Sequence, residues 1–122
     1  MKIETYSYSG TDFWAAKSTG TWKIGFLRAS RRFTTLGFWE RHLLTDEMFV
    51  LLGGTATLYT KDKSSITSVP MRQETVYNIP REVWHHIIVS TDATVLVIEN
   101  SDTCQENTEK IFPESQEEPT WN

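Results

Sequence analysis

The chain has 122 residues and a formal net charge of −4, which suits one domain with a single hydrophobic core. The net negative charge and the absence of a row of basic residues argue against nucleic-acid binding. The one cysteine, Cys104, excludes an internal disulfide. No apolar run is long enough to span a membrane and none precedes the first strand as a leader, so we expect a cytoplasmic protein without a membrane partner.

Short β-strands separated by turn residues make up most of the predicted secondary structure. Alternating side chains predict an edge strand over residues 2–8, and a capped helical turn is predicted at residues 13–16. Further strands are predicted at residues 22–28, 36–42, 47–52, 55–59, 66–69, 75–79, 83–89 and 93–99. So many short strands, with regular turns and no long helical pattern, predict an all-β jelly-roll barrel.

The composition of the chain changes after residue 100. Glu and Asn become frequent, and the apolar residues thin out to Ile111, Phe112 and Trp121. We therefore predict a barrel domain over residues 1–103. Residues 104–122 are predicted to form an acidic C-terminal tail, partly disordered or packed over another subunit.

The predicted hairpin over residues 36–54 contains three candidate ligand residues. Glu40 and His42 are two apart and so project from one face of a strand, while Glu47 opens the next strand. If these faces point inward, two carboxylates and an imidazole meet in an apolar interior. Burying a neutral polar group without a partner costs about 2–7 kcal/mol, and a charge costs more. These side chains must therefore pair, hold a metal or bind a ligand.

The spacing of these residues resembles the first motif of the cupin superfamily, a group of small jelly-roll barrels. That motif runs Gly, five residues, His-x-His, three or four residues, Glu, six residues, Gly. Here Glu40-x-His42 is followed by four residues, Glu47, six residues and Gly54. Glu40 takes the place of the first histidine, and Thr34 that of the opening glycine.

The second cupin motif is matched less closely. It runs Gly, five residues, Pro-x-Gly, two residues, His, three residues, Asn. Pro80 and His85 stand at their expected positions. Glu74 and Glu82 replace the two glycines, and Val89 replaces the asparagine. The resemblance extends over about residues 22–100.

The resemblance implies a metal site inside the barrel, with Glu40, His42, Glu47 and His85 as its ligands. Two imidazoles and one or two carboxylates suit Mn(II), Fe(II), Ni(II) or Zn(II), and Glu40 in place of a histidine favours Mn or Fe over copper. The alternative for Glu40 is a surface or barrel-mouth glutamate in an ion pair, for Glu47 a charge in the turn at the strand start, and for each histidine a structural hydrogen bond. His86 is expected to face outward, since neighbours on a strand alternate.

Three functions remain open from the sequence. The first is a metal-dependent isomerase, lyase or dioxygenase acting on a small polar metabolite of the sugar, keto acid or ureido type. The others are a non-catalytic module that binds such a ligand, and a structural barrel without metal. Trp22, Tyr59 and Tyr77 are candidate pocket residues, with core or interface roles as their alternative. The aromatic N-terminal third and the edge strands predict a homodimer.

Overall fold

Residues 2–112 are described by the computed structural model, and within them the chain forms ten β-strands and two short 3-10 helices. The strands are β1 (Phe13–Thr19), β2 (Trp22–Arg28), β3 (Trp39–His42), β4 (Glu47–Gly53), β5 (Ala56–Lys61), β6 (Ile66–Pro70), β7 (Val76–Ile79), β8 (Trp84–Val89), β9 (Thr94–Asn100) and β10 (Thr108–Ile111). The helices cover Arg31–Phe33 and Gln105–Asn107. The predicted all-β jelly-roll barrel is confirmed. No helix among these residues is long and apolar enough to cross a membrane.

Two antiparallel five-stranded sheets face each other across the core. Their strand orders are β1-β2-β9-β4-β7 and β10-β3-β8-β5-β6. Strand β9 illustrates why the sequence folds this way, because Val95 and Val97 are at most 1% exposed whereas Leu96 and Ile98 on the opposite face are half-buried. Alternation of this kind buries one face of each sheet against the other.

The N-terminal segment differs from the prediction. Residues 2–8 form no strand, and the edge of the first sheet is β1, where a helical turn was expected. Phe13 pairs with Leu27 across the β1–β2 hairpin, and Gly20 has a φ of 55° that suits the tight turn between its strands. Pairing with β2 therefore outweighs the local sequence preference that predicted a capped helical turn at residues 13–16.

The predicted tail begins with a structured segment. Strand β10 pairs with β3, bringing Thr108 opposite His42 and Lys110 opposite Glu40. Residues 108–111 are thus an edge strand of the second sheet. Residues 113–122 lie outside the described part of the chain, and the domain boundary after residue 103 stays a prediction.

Candidate metal centre

Four side chains converge between the sheets. Glu40 and His42 come from β3, Glu47 from the start of β4, and His85 from β8. Glu40 is directly opposite His85 in the β3–β8 pairing, while Glu47 approaches from the facing sheet. One ligand atom from each of the four lies within 4.8 Å of all the others. The structure therefore brings together all four residues that the motif spacing singles out.

The distances within this cluster suit a bound ion. Glu47 Oε1 lies 3.0 Å from Nε2 of both His42 and His85. Glu40 Oε1 lies 3.8 Å from His42 Nε2 and 4.0 Å from His85 Nε2. Metal–ligand bonds of about 2.0–2.2 Å place neighbouring ligand atoms about 3.0–3.6 Å apart. Small adjustments of Glu40 would complete such a shell.

The histidines are oriented by partners on their other ring nitrogens. His85 Nδ1 donates to the carbonyl oxygen of Val83 at 2.9 Å, and His42 Nδ1 is 2.9 Å from the hydroxyl of Thr108. With its proton on Nδ1, a neutral His85 directs the lone pair of Nε2 at Glu47. The Nε2 lone pair and the Glu47 carboxylate then face each other, and a cation between them, either a proton or a metal ion, satisfies both. Orientation of this kind is typical of metal-binding histidines, so these residues fit a divalent transition metal.

Charges inside the cluster stabilise one another. Burial by itself disfavours the charged imidazoles, but the hydrogen bonds and charge of Glu47 outweigh it and raise the pKa of His42 and His85. Burial likewise disfavours the carboxylate of Glu47, yet the two imidazoles hold its pKa below the ordinary value. In the absence of metal, the cluster is therefore an ion-paired network of buried groups.

A fifth ionisable group, Glu99, belongs to the same site and is absent from the sequence-based set. It lies opposite both Lys23 and Glu47 in the strand pairing, is 8% exposed, and its carboxylate is 3.7 Å from Lys23 Nζ. Burial and the nearby charge of Glu47 raise the pKa of Glu99 to about 8. Its position two residues after Val97, on the inward face of β9, is the signal that could have identified it.

The cluster forms part of the wall of a cavity of about 460 Å³. Besides the cluster and Glu99, the cavity is lined by apolar core residues, by His86, by four residues between positions 103 and 108, and by three cations. The apolar residues include Leu27, Phe49, Ile87 and Val97, and the cations are Lys23, Arg32 and Lys110. A cavity of this size, mostly apolar with a few convergent polar groups, is typical of small-molecule sites.

The three predicted aromatic pocket residues do not line this cavity. Trp22 is 48% exposed and contributes to a separate groove together with Met48. The Tyr77 hydroxyl accepts a hydrogen bond from the Arg72 backbone N–H at 2.8 Å, and Tyr59 sits on β5 opposite His86. Strand alternation alone could not tell which face of β2 or β5 would be covered.

His86 is buried, contrary to the expected outward orientation. It is 2% exposed, and its Nε2 donates to the Thr35 carbonyl oxygen at 2.8 Å. The Phe38 ring packs edge-on against it, with a centroid distance of 4.6 Å. The segment between β2 and β3 thus covers His86, which takes no part in the ligand cluster.

These pKa shifts predict how the metal-free protein responds to pH. Glu99 contributes stability that is fully present below its unfolded pKa of about 4.3 and is lost as the pH rises to about 8. The raised pKa of His42 and of His85 likewise contributes stability that is present below about pH 6.5 and lost above it. The pKa of Glu47 is lowered, so the stability that its carboxylate contributes is lost only when the pH falls into the acid range.

We therefore expect the free energy of unfolding in chelator to fall between pH 6.5 and 8, by up to about 1.4 kcal/mol per pH unit for each proton released. Urea denaturation at several pH values measures this slope. Glu99→Gln should make the slope shallower because it removes one titrating group. A stability that is flat or rises over this range would contradict the described network.

No protein-family model matches the chain, and no curated protein matches it. Among solved structures, a cupin-2 domain protein from Shewanella frigidimarina is 17% identical, with a TM-score of 0.58 over 76% of this chain and 84% of that one. The Streptomyces protein Pac13, solved with uridine and described as a nucleoside dehydratase, is 10% identical, with a TM-score of 0.66 over 92% and 93%.

The 3,4-ketoisomerase QdtA from Thermoanaerobacterium thermosaccharolyticum, in complex with TDP-4-keto-6-deoxyglucose, is 16% identical. Its TM-score is 0.58, over 70% of this chain and 63% of that one. At these identities the likeness concerns the fold. The chain has the cupin fold, as the spacing of its first motif predicts.

Proposed function

We propose that this protein binds a divalent transition metal through Glu40, His42, Glu47 and His85, and that it acts on a small polar metabolite of the sugar, keto acid or ureido type. The observation that carries the proposal is the convergence of two imidazoles and two carboxylates on one wall of a cavity. Hard carboxylate oxygens beside imidazole favour Mn or Fe, with Ni and Zn as further candidates.

The residues around the cluster suit proton transfer on a bound metabolite. A metal ion at this position would polarise a carbonyl or hydroxyl oxygen. Glu99 lies beside Glu47 and is paired with Lys23, so a carboxyl group is available in the cavity to give or take a proton. An isomerase or lyase needs these elements, and the cupin folds of a nucleoside dehydratase and a ketoisomerase are compatible with such chemistry.

A non-catalytic ligand-binding role is the second candidate. It is favoured by the departures from the second cupin motif, in which Glu74, Glu82 and Val89 replace two glycines and an asparagine. In this case the same cavity would hold a ligand without converting it. A structural barrel without metal is the third candidate, and it predicts neither metal nor ligand binding.

A metabolite screen separates these functions. Protein loaded with Mn(II) and protein treated with chelator are incubated with keto acids, ketoses, sugar phosphates and ureido compounds, and binding and turnover are measured. We expect one class to be bound and converted only by the loaded protein, and Glu99→Gln to retain metal while losing turnover. Binding without turnover would support the non-catalytic ligand-binding role, whereas ligand binding that does not depend on metal would contradict the proposal.

We also propose a homodimer, formed through the outer face of the sheet that contains β2 and β4. Trp22, Met48, Leu52 and Val76 are each at least 36% exposed on that sheet. Extended apolar surfaces of this kind usually mark an interface. Light scattering should give about twice the chain mass of 14.1 kDa, and the mass of one chain at micromolar concentration would contradict the dimer.

A further inference from the structure

Lys110 is an exposed cation at the edge of the cavity, and no carboxylate of the described part of the chain is paired with it. It projects from β10, directly opposite Glu40 in the pairing with β3, and it contributes to the cavity wall. Its Nζ lies 5.2 Å from the centroid of the Phe38 ring. Among residues 2–112, no carboxylate oxygen comes within 4.0 Å of this ammonium group.

The other two cations of the cavity are already paired. Lys23 lies 3.7 Å from Glu99 and donates to the Thr103 carbonyl oxygen at 2.8 Å. Arg32 forms a bidentate pair with Asp12, with distances of 2.7 and 3.0 Å. Both side chains are therefore held by partners within the protein, whereas Lys110 is not.

The carboxylates of the cluster do not balance Lys110 either. Glu40 and Glu47 together carry the two negative charges that a divalent ion would neutralise. With the ion in place, Lys110 still has no carboxylate partner among the described residues. A lysine ammonium has three donors and is strongly hydrated, so a ligand that displaces its water should supply acceptors, best of all charged ones.

The position of Lys110 also suits an anion that reaches the metal cluster. Phe38 and Phe33 both pack on His86, with ring-centroid distances of 4.6 and 6.4 Å. Lys110 lies over Phe38, and Arg32 lies over Phe33 at 4.5 Å. The two cations thus flank one aromatic group, and of these two Lys110 is the one without a carboxylate partner.

We propose that the ligand of this cavity is a small organic anion, whose carboxylate or phosphate group contacts Lys110 while its carbonyl or hydroxyl end reaches the metal cluster. The inference rests on the proposed metal site, because a metal ion there would neutralise the negative charges of Glu40 and Glu47. It narrows the metabolite to keto acids and sugar phosphates, since a neutral sugar or ureido compound offers Lys110 no charged acceptor.

Calorimetry with charged and neutral probes tests this inference on Mn(II)-loaded protein. Pyruvate is compared with pyruvamide, and glycerol 3-phosphate with glycerol, so that each pair differs in the anionic group. We expect at least one anion to bind more tightly than its neutral counterpart, and Lys110→Gln to weaken that anion about tenfold, as expected for a charge-assisted hydrogen bond. The anion that binds better distinguishes a carboxylate site from a phosphate site.

Two further variants control this test. Lys110→Arg keeps the charge and should retain most of the affinity, even if Lys110→Gln folds poorly. Lys63→Gln removes an exposed lysine in the β5–β6 turn, outside the cavity, and should leave binding unchanged. The inference is overturned if neither anion binds, if the neutral probes bind equally well, or if Lys110→Gln binds both anions like the unmodified protein.

Metal content, measured on the same samples, separates this inference from the proposed function. Full metal occupancy with unchanged anion affinity in Lys110→Gln contradicts the inference alone. Failure of every sample to take up metal contradicts the proposed function, whatever the probes do.

Discussion

Replacing both His42 and His85 by alanine is expected to abolish metal binding while the barrel remains folded. Both Nε2 atoms lie 3.0 Å from the same carboxylate oxygen of Glu47, so the double variant leaves only the carboxylates to hold an ion. Loss of a residue that merely orients a ligand already costs about 10–100-fold in metal affinity. Loss of two ligands should therefore exceed about a hundredfold, measured by competition with a chelator of known affinity.

His86→Gln provides the matched control for this double variant. His86 neighbours His85 on β8, yet its Nε2 donates to the Thr35 carbonyl oxygen, a bond that a glutamine amide can replace. We expect this variant to keep its metal. Undiminished metal affinity in the double variant would contradict the assignment of these ligands, and so would metal loss restricted to His86→Gln.

Glu47→Gln should have the second-largest effect, because Glu47 is the carboxylate that both imidazoles contact. It is 6% exposed, and the imidazoles hold its pKa below the ordinary value despite the opposing effect of burial. Removing one partner of a buried ion pair costs about 3–5 kcal/mol. In chelator at pH 6, where the raised pKa of His42 and His85 favours charged imidazoles, we expect a loss of about 3 kcal/mol.

Urea denaturation measures this loss, and Glu40→Gln is its comparison. Glu40 is partly exposed and lies 3.8 and 4.0 Å from the two imidazoles, so its replacement should cost less than about 1 kcal/mol in the metal-free protein. Equal effects of the two variants would show that Glu47 does not hold the network together. Glu47→Gln should also weaken metal binding, and unchanged affinity would contradict its role as a ligand.

The central hairpin could be predicted from the sequence because strand geometry is local. A spacing of two places Glu40 and His42 on one face, and the motif spacing places Glu47 at the start of the next strand. The same regularity, together with the turn residues, was sufficient for the jelly-roll barrel. Which residues of one strand share a face was therefore accessible without a structure, whereas the covering of the other face was not, as the buried His86 shows.

Features that depend on pairing between distant strands could not be predicted from the sequence. Strand β10 has a short, mostly polar sequence and is a strand because it completes the edge beside β3. Alternation on β9 gives the inward position of Glu99, but its place beside Lys23 and Glu47 depends on the register of the two neighbouring strands. Strand β1 shows a similar effect within a hairpin, because its pairing with the neighbouring β2 replaces the predicted helical turn. Composition carries no information about which strands pair.

Elemental analysis of the protein purified without added metal tests the metal centre most directly. The arrangement of Glu40, His42, Glu47 and His85 predicts close to one transition-metal ion per chain, with Mn or Fe favoured. Prolonged chelation should remove this ion, and resupply should restore it. A protein that contains no transition metal, even after supplementation with Mn, Fe, Ni and Zn, would contradict the metal centre.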